Sequence, residues 1–512
     1  RRLWLHRRIA QAIELVYSDP AAVGLAAQVA QHYERGGQPL IALEWVMRGV
    51  EESQRRYQIE EGLQLVEHGL KILQTVKGRL SAHERIEKEF RLIEKKIELG
   101  LKVGQVSDLE HSLHCLFEMA STVQNPNLEA KAYMLTALWK ARQGEHLEEL
   151  KAARQAYSLY KKANDSKGLG ESLYEIGIAY FYLGRYRHAL KCFELAYRIF
   201  QEVGDKRLQG VILDTIGCTR IAIGDISGID SQMQALELIR KIGDLEEENK
   251  LLNNIAIVYA LMGDYQRAGD FFEQSRAIAQ QIGDRFGMGM ALLNLGEIFR
   301  LSGVPQRALD YLDQAQKIFT KLHSPVSQAK VLWRKGCAYR DAGEYEKACT
   351  CFKEALESYQ ELEDPVNKAL CCVEYAETCI ALGRLKEASR NLHQALELIQ
   401  EPDMVELVAE CWSALGEIHL REGRFYEALQ ASQKSLELLR EQKLHVRISI
   451  LALWRHFLIL KSLNRLDEAQ GFLHQAYAKL LQLADKFTDD HLRTSFLNIP
   501  LHRQILAEIS RS

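Results

Sequence analysis

Apolar residues recur three and four positions apart along most of the chain, as in LLNNIAIVYAL at 251–261 and AGDFFEQSRAIAQQI at 268–282. That is the period of a helix with one buried face, not of a strand. Glycines break the pattern at a fixed interval: Gly104, Gly144, Gly184, Gly224, Gly263, Gly303, Gly343, Gly383 and Gly423 stand 39 or 40 residues apart. Five residues after most of them comes a small side chain, Ala189, Ala268, Ala308, Ala348, Ala388 or Ala428. Seven residues before them comes another, Gly177, Gly217, Ala256, Gly296, Gly336, Ala376 or Gly416. Each unit therefore reads as helix A, a glycine turn, then helix B, with small residues where the two helices approach. A period of this length marks a solenoid, whose units bury their apolar faces only by stacking on neighbours.

The joints between units support that reading. VGDKR, IGDLE and IGDRF place Gly204, Gly243 and Gly283 at helix stops, and Asp205, Asp244 and Asp284 as caps of the next helix. In two later units SPV and DPV serve instead, with Ser324 and Asp364 as caps. Pro325 and Pro365 then fall in the first helical turn, where a missing N–H costs nothing.

The order of Gly177, Tyr180, Gly184, Tyr186, Ala189, Phe193 and Ala196 resembles the tetratricopeptide repeat. The longer period is similar to that of the long-helix variants in bacterial signalling proteins, animal polarity proteins and kinesin-light-chain scaffolds. The resemblance implies an all-α fold, a right-handed α-solenoid of helix-turn-helix repeats. Regular repeats are expected over 165–484. Degenerate ones precede them over 77–164, where Leu109 and Glu149 replace the small helix B residue. Residues 1–76 read as a helical connector and 485–512 as a C-terminal capping helix and tail. The segments LHRRIAQAIE and LAAQVAQHYERGGQPLIALEWVMRG resemble the joint between the nucleotide-binding part and the repeat arm of bacterial STAND-type signal-transduction ATPases, and RTSFLNIPLHRQILAEI resembles the end of such arms.

Composition changes this picture little. Lys+Arg 66 against Asp+Glu 69 leaves a formal charge of −3 without a long block of one sign, so nucleic acid and anionic membrane are not indicated as partners. The most apolar late stretch, ISILALWRHFLIL, is broken by Arg455 and His456, and the basic start has no uninterrupted apolar run, so neither a membrane span nor a signal peptide is expected. Ten cysteines lack paired C-x-x-C spacing and read as reduced, packed thiols, which points to the cytoplasm. His111, His114 and Cys115 share one helical turn but want a further ligand, and are read as ordinary helix residues, with no metal and no cofactor expected. No G-x-x-x-x-G-K-[ST] loop occurs. An ATPase, if this is its arm, would lie upstream of Arg1, and a first residue other than Met points to such a fragment.

Function is then expected on the face lined by helix A, where successive repeats present equivalent positions. Two residues before the small position stand Asn254, Asn294 and Arg334, and four after it Arg300 and Arg340, with Asn253, Glu297 and Trp333 on the same or the adjoining face. Amides can bond an extended peptide backbone, arginines can clamp carboxylate or phosphate, and tryptophan supplies apolar contact. Polar residues also line any water-facing groove, so solvation alone is the competing account. Glu374, Glu377 and Glu417 turn the lining acidic farther along, with Arg421 adding one positive charge. The combined expectation is a sensor and autoinhibitory arm of a larger cytoplasmic signalling ATPase. It would bind a protein, a peptide or a small molecule, and contact the nucleotide-binding domain upstream in the same chain. A freestanding adaptor is the alternative, and an enzyme ranks last because no catalytic constellation is visible.

Overall fold

A computed structural model of the chain describes residues 1–16, 23–55, 58–76, 78–103, 109–399, 404–440 and 446–511. Among them lie 26 helices and no strand. The helices follow one another as antiparallel hairpins, such as Pro325–Asp341 with Tyr345–Glu361, and within each of the two units described below successive hairpins stack. The fold is an all-α solenoid. No helix among the described residues is long and apolar enough to cross a membrane.

Every turn glycine of the repeat that is described, from Gly144 to Gly423, has φ between 68° and 82°. Gly104 lies outside the described residues. Asp205, Asp244, Asp284 and Asp364 each accept a backbone N–H three residues on, at 2.8–3.1 Å. Ser324 does not cap in this way. Its Oγ donates to Ser327 Oγ at 2.9 Å, because the shorter hydroxyl meets a closer partner than the backbone amide.

Small residues are needed where helix A crosses helix B. A Cβ on Gly336 would sit 2.8 Å from the fully buried ring of Phe352, and one on Gly177 would sit 2.4 Å from Phe193. Gly471, inside helix Leu466–Ala484, would meet nothing within 4 Å. Gly336→Ala is therefore expected to destabilise, because overpacking of roughly 1–3 kcal/mol outweighs a helix-propensity gain of about 1 kcal/mol. Gly471→Ala should keep only the gain, about 0.5–1 kcal/mol. Thermal melts of the two variants should move in opposite directions.

The chain divides into two compact units, Arg1–Thr219 and Arg220–Ser512. In the first, one core gathers around Trp45, Val66 and Leu92, and others around Leu113 and Trp139 and around Phe193 and Phe200. Glu149, at the position that other repeats give to alanine, is fully buried and hydrogen-bonds His146 at 2.7 Å.

In the second unit a continuous core runs from Ala329 to Ile418. Its C-terminal end folds back on earlier repeats of the same unit. Gln266 Nε2 donates to Thr488 Oγ1 at 2.6 Å, its Oε1 accepts from Thr488 N and Asp489 N, and Lys486 Nζ donates to the Met262 carbonyl. Phe487 and Phe496 pack on Tyr265, each 6.3 Å between ring centroids. Tyr265 is consequently buried, at 4% exposure, whereas Phe425 in the same register is 42% exposed.

Candidate functional site

Helix A presents two kinds of position to the inner face of the second unit, and the structure separates them. The residue three before the small position faces the neighbouring A helices: Leu293, Trp333 and Val373 are all buried there. Trp333 thus lies in the core and not in an open groove. The Arg334 guanidinium covers its ring at 4.2 Å, and its Nε1 has no hydrogen-bond partner among the described residues. Asn253 occupies the same register and accepts from Asn294 Nδ2 of the next A helix at 3.1 Å. Asn254 and Asn294, two before the small position, are half-buried, and Asn254 has a partner of its own.

The remaining expected residues form one network. Arg300 grips Glu297 with both Nε and Nη2, at 2.9 and 2.7 Å, and reaches Asp341 on the next A helix at 2.6 Å. Arg334 adds a contact to Glu297 at 3.2 Å. Arg340 holds Asp341 at 3.0 Å and Glu374, one repeat farther, at 2.5 Å. Each guanidinium thus bridges successive helices, and charge-assisted fork geometry makes such bonds strong.

Burial works against the charge on Arg300 and Arg340, but the carboxylates outweigh it. Glu297 and Asp341 hold Arg300, and Glu374 and Asp341 hold Arg340, well above the ordinary guanidinium value. At 3% exposure Arg300 stays a paired cation in the interior of the unit. The structure therefore brings Glu297, Arg300, Arg334 and Arg340 together, sets Asn253 with Asn294 beside them, and sends Trp333 inward.

A second cluster continues the ladder, centred on Arg455, a residue that sequence reading treated only as an interruption of an apolar stretch. Its Nη1 and Nη2 take Glu377 at 3.0 and 2.6 Å, and its Nε takes Glu417 at 2.5 Å. Arg421 binds the other oxygen of Glu417 at 2.6 Å. Arg455 is 4% exposed. The usable signal was an arginine in the middle of the apolar run ISILALWRHFLIL, a position that requires a buried anion nearby.

Elsewhere the buried thiols are unreactive in character. Burial pushes Cys337, Cys371 and Cys411 above the ordinary thiol value, away from the thiolate form. His111 Nε2 and Cys115 Sγ lie 3.7 Å apart on an exposed face, and His114 pairs with Glu118 at 3.9 Å.

Comparison with known proteins bears on this geometry. Tetratricopeptide repeat family models match residues 247–321 and 327–401, and a further one matches 170–202. No curated protein matches the chain by sequence. Among solved structures, the apo form of RapI is similar at 16% identity and a TM-score of 0.51, over 70% of this chain and 97% of that one. The apo form of the quorum sensor NprR from B. thuringiensis gives 18% and 0.51, over 68% and 99%. The STAND protein with a tetratricopeptide repeat sensor PH0952, from Pyrococcus horikoshii, gives 15% and 0.50 over 72% of this chain. That alignment spans 55% of the STAND protein, little more than half of its length.

Proposed function

For a chain that carries tetratricopeptide repeats, we propose a recognition role: it binds an extended peptide or protein segment along the A-helix face of its second unit, and does so as the sensor arm of a larger signalling ATPase. The observation that carries this reading is the ladder from Asn253 to Arg455. Arg300 with Asp341, Arg340 with Glu374 and Arg455 with Glu377 each tie one A helix to a later one. These ties help set the spacing of the repeats. A ligand that offers its own carboxylate or amide to one rung exchanges for an internal partner, and so alters the stacking it reports on. Such a ligand shifts a conformational equilibrium through its different affinity for the two states. The named sensors among the solved structures share only the fold with this chain, and so agree with the reading without carrying it. The groups in the ladder are guanidiniums, carboxylates and amides locked to one another, a set made to bind and not to turn over a substrate.

The test begins with peptides selected from a displayed random library on the purified chain. Asn254→Ala and Asn294→Ala are each expected to weaken the selected peptide by about 1–3 kcal/mol, the cost of buried partner groups losing hydrogen bonds. Their melts should change little. Unchanged affinity in both variants would move the site off this face. The arm reading is tested separately by the reading frame upstream of the codon for Arg1. A phosphate-binding G-x-x-x-x-G-K-[ST] there supports it, and its absence favours a freestanding adaptor.

A further inference from the structure

The first unit holds a cavity of about 520 Å³ that the ladder does not involve. Its size is that of a small-molecule site. Helices Ala82–Val103, Pro126–Arg142, Ser166–Tyr182 and Lys206–Ala222 supply its walls. Two glycines shape them. A Cβ on Gly168 would fall 2.4 Å from the ring of Tyr160, and one on Gly170 would fall 2.6 Å from Phe200. Both rings therefore pack against the N-terminal part of Ser166–Tyr182 and, with Leu135, Val211 and Ile212, form an apolar lining.

Around that lining stand five carboxylates against two lysines. Four of the five have partners. Glu94 takes Lys131 at 3.3 Å and Glu98 takes Lys95 at 2.7 Å. Asp165 caps its helix through Gly168 N at 2.9 Å, and Glu171 has Lys167 at 3.9 Å. Glu175 has no hydrogen bond or ion pair among the described residues, although only 6% of it is exposed and it lines the cavity. An unpaired carboxyl in such a place is costly unless something completes it. Glu175 also stands two residues before Gly177, the register that Asn254, Asn294 and Arg334 fill in later repeats. The A-helix position expected to meet ligand in the second unit is thus an unpartnered acid in the first.

We propose that this cavity binds an organic cation, a guanidinium or ammonium group on an apolar stem, with Glu175 as the counter-ion and the Tyr160–Phe200 lining around the stem. The charge balance of the walls selects against anions, and the aromatic rings favour a cation over a neutral polar group. The site is independent of the peptide face proposed above, so either can fail alone.

Without ligand, the carboxyl of Glu175 is pushed up to about 8, by burial first and by the charge of Glu149 second. Glu149, behind it, shares a hydrogen bond with His146, and burial raises its own carboxyl. Glu171, Asp165, Glu94 and Glu98 face the cavity as further acids, with Lys131 and Lys167 as the bases. At pH 7 the empty site therefore holds a proton on Glu175, and an entering cation displaces it to solvent.

The experiment titrates the purified chain with hexylguanidinium and, separately, with the peptides acetyl-Leu-Arg-Leu-amide and acetyl-Leu-citrulline-Leu-amide. Citrulline keeps the shape of arginine and removes its charge. The expected result is binding of hexylguanidinium or of the arginine peptide at least tenfold tighter than the citrulline peptide. The first alone assigns a free amphipathic cation, and the second assigns a peptide side chain. Calorimetry in buffers of different ionisation enthalpy should show a proton released at pH 7. Glu175→Gln should lower affinity at least tenfold and abolish that release, with an unchanged melt. Measurable but equal binding of the arginine and citrulline peptides, no binding of either cation, or unchanged binding by a folded Glu175→Gln would each overturn the proposal. The hexylguanidinium titration and the arginine–citrulline comparison need no variant, and so together decide the matter even if Glu175→Gln does not fold.

Discussion

Phe496→Ala is expected to release the C-terminal helices Asp490–Leu497 and Pro500–Ile509 from the repeats they cover, at a cost of about 3–5 kcal/mol. Phe496 is 1% exposed and touches Tyr265, Phe487 and His502, with ring centroids 4.4–6.3 Å away. Truncation leaves a cavity lined by rings that cannot all collapse into it. Amide hydrogen exchange should quicken across 483–509 and at the turn around Gly263, and should stay as before in helix Pro365–Ala381. A pair of glycine variants isolates the same contact. Gly303 and Gly343 have nearly the same φ, 80° and 82°, so an alanine at either meets the left-handed penalty of roughly 1–2 kcal/mol. Only at Gly303 would the new Cβ also strike the Ser495 carbonyl, at 2.4 Å. Gly303→Ala should therefore melt lower than Gly343→Ala, and equal melts would mean that the tail does not hold this turn in solution.

Nothing local could have announced that contact. The turn glycines, the small crossing residues and most of the aspartate caps follow from spacing, because each serves a demand within a single hairpin. Gln266 and Thr488 meet across 222 positions, and their pairing depends on how successive repeats stack. The A-helix face was partly legible for the same reason. Its register counts from the small residue and places Asn254, Asn294, Arg300, Arg334 and Arg340 at equivalent positions of successive A helices. Counting could not tell that the third residue before the small one packs against the adjoining helix, which sends Trp333 inward. Glu175 holds the same register two residues before Gly177, but its place on a cavity wall depends on how several helices pack, which a register count does not carry. Arg455 belongs to a helix, Val446–Ser462, whose central apolar run hid its buried arginine.

That position should be as sensitive to substitution as Phe496. Arg455→Met keeps the length of the side chain and removes the cation, leaving Glu377 without its fork and Glu417 with Arg421 alone. Removing one partner of a buried pair costs roughly 3–5 kcal/mol, because the remaining charge stays desolvated. The variant's urea midpoint at pH 7 should fall accordingly, with exchange quickening first in Val446–Ser462 and Val405–Arg421.

The pH dependence supplies the diagnostic. Burial pushes the Glu417 carboxyl up, but Arg455 and Arg421 outweigh it and hold the folded-state value below the ordinary 4.5. Glu417 therefore contributes stability above the unfolded value, and that contribution is lost as pH falls through the folded one. In Arg455→Met the contribution is smaller from the start. The gap between wild type and variant should be widest near pH 7 and should narrow below about pH 4.5, as Glu417 in the wild type takes up its proton. A gap that is constant across this range would mean that the loss comes from packing alone. Replacing all three at once, Arg455→Met with Glu377→Leu and Glu417→Leu, should recover most of the stability, since an apolar set has no charge to desolvate. If the recovered variant has also lost the peptide selected on the wild type, the ionic rungs serve recognition; if it binds as before, the ladder serves only to fix the register of the A helices.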